Sequence, residues 1–463
     1  MESYIFIFGL LLFFSLCSIK ISHKIKVPLL IMFIFIGMLA GSEGIGGIEF
    51  EDYNLAQNIG NFALLFILFS GALETNKNDV ISSLYPSGTL ATLGVFLTAI
   101  LSAIFTYFLT DFSWMESLIF GAFVSSTDAA AVISILGESK LNKKVKTVIE
   151  IESGSNDPMA YVLILFFISI YKIGNLDIIN GIIFLLKQIL IGGTLGFIFG
   201  KITIPISKFL SIKREEFLII HVISFLFICY SLTNLLNGNG FLAIYLMGIL
   251  VGNEKFEYRI NLLRNMRAFS WIMQITMFLI LGLLVFPSQF LAVIWTGTFL
   301  AILVIILGRF IVVFSLLSIF KFDIKEKIFV SWAGLKGAVP IIFSIMAVTH
   351  NLENSQMMFN MIFYMVVFSV LIQGTSLKFI AKYLGLLEEE KENNEISLDE
   401  IEELAIKKLY ITQYSDYLNK QIKDLNLGEK GIHIISVKRG KNYLTPNGSL
   451  KFESEDEVLF SQN

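Results

Sequence analysis

Apolar runs of about 20 residues recur from the N-terminus to about residue 384, each long enough to cross a bilayer as an α-helix. With 55% hydrophobic and 16% charged residues, the chain carries more apolar surface than a soluble protein of its length. Hydropathy predicts about thirteen spans. They fall near 3–19, 27–41, 55–73, 86–109, 115–136, 147–171, 178–204, 216–236, 240–252, 268–285, 291–318, 328–349 and 356–383. The first run lacks a basic n-region and an A-x-A cleavage site, so it reads as a retained span and not a signal peptide. Cys17 and Cys229 fall far apart in apolar runs, which suggests small buried hydrophobes and no disulfide or metal framework.

Basic residues in the loops test that count. Alternate loops carry Lys20, Lys24 and Lys26; Lys77; Lys140, Lys143, Lys144 and Lys146; Lys208, Lys213 and Arg214; Lys255, Arg259 and Arg264; Lys321, Lys325 and Lys327; then Lys378 and Lys382. The intervening loops 42–54, 110–114, 237–239, 286–290 and 350–355 have no Lys or Arg, and 172–177 has only Lys172. By the positive-inside rule the first set is cytoplasmic. The N-terminus is then outside and the C-terminus inside, which requires an odd number of spans.

Two spans are interrupted. The fifth contains Ser125-Ser126-Thr127-Asp128, and the twelfth contains Trp332-Ala333-Gly334-Leu335-Lys336-Gly337-Ala338-Val339-Pro340. Glycine and proline weaken a helix, and the freed backbone groups need a polar neighbour or cavity. Lying seven apart, these spans run in opposite directions, as inverted repeats with crossing helices require, and such repeats hold their site near the bilayer midplane. Asp128 lies about 13 residues from the outer end of its span, roughly 20 Å. Asp157, within Glu152-Ser153-Gly154-Ser155-Asn156-Asp157-Pro158, lies about 10 residues from the inner end of its span, roughly 15 Å. Together the depths match the ~30 Å apolar core plus a small excess, so the two carboxylates are expected to meet.

Ionisable residues at membrane depth are costly and mark ion or proton pathways. A carboxylate in a partly desolvated cavity can take up a proton and release it in exchange for a cation. Asp157 is the leading carrier. Hard monovalent cations prefer oxygen ligands, and Asp128, Thr127 and the Ser153 hydroxyl supply them, with Asn156 orienting the set. Arg309, deep in the eleventh span, needs a buried partner; Glu152, just over one helical turn from Asp157, is the expected one. Lys336 either snorkels or places positive charge at the broken twelfth span. Glu74 closes the third span as an ordinary helix-end residue or an acid on the access path.

No G-x-x-x-x-G-K-[ST] loop is present to bind a nucleotide, and no T-V-G-Y-G filter marks a potassium channel. The four histidines are isolated in sequence. No cofactor, catalytic activity or nucleic-acid partner is expected. After Gly385 the chain changes character. Residues 385–400 form an acidic linker, and 401–463 read as a small α/β domain with strands at 409–412, 431–437 and 457–460 around a short helix capped by Ser415 or Asp416. A module of about 60 residues is marginal alone and is expected to dimerise or pack on a partner.

At these residues the chain resembles the monovalent cation:proton antiporters of the NhaP and sodium–proton exchanger type, over about residues 1–384. Thr127-Asp128 resembles the unwound fifth-helix motif of that family, Asn156-Asp157 its Asn-Asp pair, and Glu152-Ser153 the Glu-Ser preceding it. Arg309 is similar to the eleventh-helix arginine that pairs with the glutamate, and Gly334-Leu335-Lys336-Gly337 to the family's Gly-Leu-Arg-Gly. The resemblance implies a homodimer whose six-helix core moves like an elevator, with Asp157 and Asp128 holding the cation. Its Asn-Asp form implies electroneutral one-for-one exchange. Lys336 departs from the usual arginine, and Ala129 from the proline of many relatives; the Thr-Asp-Ala-Ala-Ala-Val form is similar to the potassium/proton subgroup. The tail resembles the C-terminal half of RCK regulatory modules (TrkA-C-like), which can bind small ligands, including cyclic dinucleotides.

The expected protein is therefore an all-α polytopic protein of a bacterial inner membrane that exchanges potassium, or sodium, for protons. A cation channel gated by the tail is the alternative. An intramembrane aspartyl protease using Asp128 and Asp157 is disfavoured by the lack of a G-x-G-D motif.

Overall fold

A computed structural model describes residues 2–25, 28–137, 139, 141–173, 178–387, 407–411, 415, 417–425, 427, 432–440 and 442–462. They fall into two compact units, 1–388 and 389–463.

The first unit is helical. In chain order it comprises α1 (Glu2–Ile25), α2 (Leu29–Ala40), α3 (Tyr53–Glu74), α4 (Lys77–Leu109), α5 (Trp114–Phe123), α6 (Ala129–Leu136), α7 (Lys143–Ile173) and α8 (Ile178–Phe209). It continues with α9 (Glu215–Leu235), α10 (Gly240–Gly252), α11 (Arg259–Leu283), α12 (Pro287–Leu317), α13 (Ile324–Trp332), α14 (Ala338–Thr349) and α15 (Ser355–Tyr383). Among the described residues, eight helices are long and apolar enough to cross a membrane, and five shorter apolar helices lie in α1, α2, α5, α10 and α14. Eight and five make thirteen candidate spans among the described residues, the number expected, once each broken pair, α5/α6 and α13/α14, counts as one.

Both broken spans open alike. At the start of α5, Ser113 and Glu116 form a reciprocal capping box, with the Glu116 carboxylate accepting from Ser113 N at 2.8 Å. Before α13, Glu326 accepts from Asp323 N at 2.9 Å. A carboxylate that satisfies the first orphan amides stabilises a helix start. It does so here at matching positions of two spans seven apart. Each span then stops after about three turns, at Ser125–Asp128 and at Ala333–Gly337.

Boundaries differ from expectation where a polar turn extends a helix beyond its apolar window. The fourth span begins at Lys77, not near Pro86, because Asn76 caps it by accepting from Asn78 N and Pro86 is absorbed into the helix. The sixth begins at Lys143. Among the described residues, three helices contain π-helical turns, Leu90–Gly94 in α4, Leu303–Gly308 in α12 and Val370–Gly374 in α15. Fully buried aromatics, including Phe120, Phe123, Phe329 and Phe343, line the core around the broken spans.

The second unit is an antiparallel sheet of β1 (Lys407–Tyr410), β2 (Ile432–Arg439), β3 (Asn442–Leu444) and β4 (Glu457–Gln462), in the order β1-β4-β2-β3. The β3 hairpin strand has no counterpart in the sequence reading. Ile411, Val437, Phe452 and Val458 form its small core. Burial alone would raise the Asp456 carboxyl, but the Arg439 guanidinium and the Glu453 amide outweigh it and hold it below the usual range. In place of the expected helix, 417–419 form a turn and Ile422–Leu425 a 3-10 turn; Thr412, Asp416 and Gly431 lie outside the described residues, as do 388–400 of the acidic linker.

Candidate functional site

The two breaks touch. Asp128 N donates to Leu335 O at 2.8 Å, so the unwound segment after α5 crosses the one after α13. The close approach needs glycine: a Cβ at Gly337 would collide with the Asp128 carboxylate, and one at Gly334 would lie 2.7 Å from Arg309 Nε. Each break exposes the C-terminus of one half-helix and the N-terminus of the next. Their partial charges are negative and positive respectively.

Side chains answer those charges. Asp128 caps α6, its Oδ1 accepting from Ala131 N at 3.0 Å, and its carboxylate faces the N-terminus of α14 at Gly337. Lys336, 2% exposed, donates from Nζ to Ser126 O at 3.1 Å, beyond the C-terminus of α5. It therefore does not snorkel, because the crossing gives its ammonium a carbonyl partner at depth.

α7 passes beside the crossing. Ser153 Oγ donates to Thr127 O and accepts from Ala129 N, both at 2.8 Å, stapling the break on either side of Asp128. Asn156 Nδ2 donates to Thr127 Oγ1 at 2.7 Å. Asp157, 7% exposed, is close enough to interact electrostatically with both Asp128 and Lys336. Ser126 Oγ approaches it, yet neither that hydroxyl nor Asp157 Oδ1 completes a hydrogen bond of ordinary geometry. Asn156 Oδ1 is likewise buried and unpartnered. Such groups cost free energy unless a ligand meets them. The cluster can thus satisfy a species that needs oxygen ligands or a proton acceptor.

Glu152 and Arg309 form a buried bidentate pair, with Nη1–Oε1 at 2.6 Å and Nη2–Oε2 at 2.8 Å. The π-helical turn of α12 ends at Gly308, immediately before Arg309. Glu74, the last residue of α3, pairs with Arg267 Nε at 3.0 Å away from this cluster. Sequence reasoning missed Ser126, Ser369 and Gln373. Ser369 Oγ accepts from Lys336 N at 3.0 Å and donates to Gln373 Oε1 at 2.5 Å; Gln373 Nε2 donates to Trp332 O at 2.7 Å. Two polar residues four apart in an apolar span were the available signal.

Crossed, broken helices with buried carboxylates at their junction define a secondary transporter built on inverted repeats. The chain matches the transmembrane sodium/hydrogen exchanger family over residues 10–383 and the TrkA-C domain over 409–462. It belongs to the sodium/hydrogen exchanger family, as a multi-pass membrane protein. It is 34% identical over 462 residues to the K(+)/H(+) antiporter NhaP of Alkalimonas amylolytica, covering 98% of this chain and 80% of that one. The K(+)/H(+) antiporter NhaP2 of Shewanella sp. strain MR-4 is 36% identical over 465 residues with the same coverage. At 25% identity over 395 residues stands the Na(+)/H(+) antiporter NhaH of Halobacillus aidingensis, with 81% of this chain and 97% of that one covered. The fold is that of the sodium proton antiporter MjNhaP1 from Methanocaldococcus jannaschii, with a TM-score of 0.73 at 21% identity over 84% of this chain and all of the other.

Proposed function

We propose that this chain exchanges a monovalent cation, potassium in preference to sodium, for protons, one for one, by competition at Asp157. The charge balance of the buried cluster carries the proposal. Counted as formal charges, Glu152, Asp128 and Asp157 contribute three negative and Arg309 and Lys336 two positive, so the buried cluster sums to −1. A single proton or a single monovalent cation brings that sum to zero, and both together overshoot it. In a low-dielectric interior an unbalanced charge is expensive, which makes occupancy exclusive and the exchange electroneutral.

Asp157 takes the proton or the cation. Asp128, the Thr127 oxygens and the Ser153 hydroxyl supply oxygen ligands, Asn156 orients Thr127, and Glu152 with Arg309 fixes α7. Lys336 holds the crossing together. Glu74 acts as a helix-end partner of Arg267. Relatives named as potassium/proton antiporters, at 34 and 36% identity over nearly the whole chain, support potassium.

The protein sits in a bacterial inner membrane as a homodimer, its N-terminus outside and its C-terminus cytoplasmic. Residues 1–384 transport; 385–400 link them to 401–463, which regulates exchange by binding a small molecule such as a cyclic dinucleotide.

Proteoliposomes carrying a pH gradient test this reading. Potassium added to the wild type should dissipate the gradient at lower concentration than sodium or lithium, with no current. Asp157→Asn, folded as judged by size exclusion, should dissipate none; normal dissipation by that variant would remove Asp157 from its role.

A further inference from the structure

Tyr245, on α10, is 4% exposed; Ser155 of α7 approaches its hydroxyl, which completes no hydrogen bond of ordinary geometry. α10 packs on α3, α8 and α9 and also touches α7, whereas the other unpartnered oxygens near Asp157 come from α7 itself and the broken fifth span. The ring fits a notch on α7: a Cβ at Gly154 would collide with it and lie 2.6 Å from its hydroxyl. Tyr245 is also close enough to interact electrostatically with both Glu150 and Asp157.

The notch has a particular place. A cavity of about 380 Å³ opens at the lysine-rich end of α7, lined there by Lys143, Lys146, Thr147 and Glu150, with Asp79 and Leu136 opposite. Those α7 positions recur at spacings of three and four, so they share one face of the helix. Gly154 and Asp157 continue the same stripe, four and seven residues beyond Glu150. The cavity ends at Glu150, and Tyr245 lies across the stripe before Asp157.

We propose that Tyr245 is the gate and positioning residue between this cavity and Asp157. Its ring closes the passage at Gly154, and its hydroxyl is the first oxygen offered to a hard monovalent cation that leaves the water around Glu150. An oxygen ligand at that point offsets part of the dehydration of the ion before the Asp157 carboxylate is reached. Gly154 is needed because any side chain there would displace the ring. This deepens the exchange reading and rests on it for the identity of the ion.

The full-length protein in proteoliposomes separates the two roles. Tyr245→Phe keeps the ring and removes only the oxygen; its apparent KM for potassium should rise about fivefold, the scale of one lost polar contact, with maximal rate held within about twofold. Tyr245→Ala opens the passage, so modification of Asp157 by a water-soluble carbodiimide, read by peptide mass spectrometry, should accelerate several-fold. A Tyr245→Phe variant with unchanged KM, or a Tyr245→Ala variant with unchanged Asp157 modification, overturns the proposal. A purely structural tyrosine would lower thermal stability without moving either readout. Carbodiimide reactivity needs no transport, so a wild type that exchanged nothing would sink the proposed function while the gate was still being read.

Discussion

Arg309 and Glu152 show how a single buried pair holds the site. Side chains 5% and 2% exposed leave no water to take over either charge if its partner is removed. Losing one member of such a pair costs about 3–5 kcal/mol, whereas replacing both with apolar residues of similar volume costs far less. Glu152→Gln and Arg309→Met should therefore each lower the thermal midpoint in detergent by more than the Glu152→Leu/Arg309→Met double variant does. Equal or additive losses would mean that the pair is not isolated from solvent. The pairing itself was legible in the sequence. A lone arginine in the middle of an apolar run demands an acid, and few acids lie at that depth. Lys336 was legible only in part. Its position in a glycine-rich break was visible, but the carbonyl of Ser126 that keeps its ammonium inside becomes a neighbour only when two distant breaks cross.

The break in the twelfth span passes two of its backbone groups to α15. Lys336 N and Trp332 O, on either side of the break, are both satisfied by the Ser369–Gln373 pair, beside the π-helical turn Val370–Gly374. π-helical turns often accompany functional sites because the extra residue redirects side chains. Here Gln373 lies within the turn and Ser369 just before it, and the two side chains, bonded to each other, reach the break together. Gln373→Leu leaves the Trp332 carbonyl buried without a donor, a loss of about 1–3 kcal/mol. That variant should unfold at lower temperature and exchange more slowly, while Gln373→Glu, whose protonated form restores the donor, should recover activity as pH falls. Wild-type exchange by the leucine variant would show that α15 does not support the break. Helical breaks were readable from glycine, proline and hydroxyl clusters. The π-helical turns were not, since they follow from packing between helices and have no local composition of their own.

Alternation of basic and non-basic loops made the number of crossings legible, and the parity of the two breaks followed from it. What remained hidden was everything set by distance in space: the contact between Asp128 and Leu335, the charge sum of five residues drawn from four spans, and the tyrosine lying across Gly154. In the second unit, strand positions were close to expectation, because alternating residues bury Val437 and Val458 against one small core. The expected helix there gave way to turns. At the scale of the whole molecule, the proposed exchange depends on one buried cluster of formal charge −1, which a proton or a cation neutralises and both together would overshoot. The most direct test is the apparent KM for potassium in proteoliposomes as a function of pH. Competition requires KM to rise as pH falls, in proportion to proton concentration, while the rate at saturating potassium stays constant. A constant KM with a falling maximal rate would mean that proton and cation occupy separate sites, and would contradict exchange at Asp157.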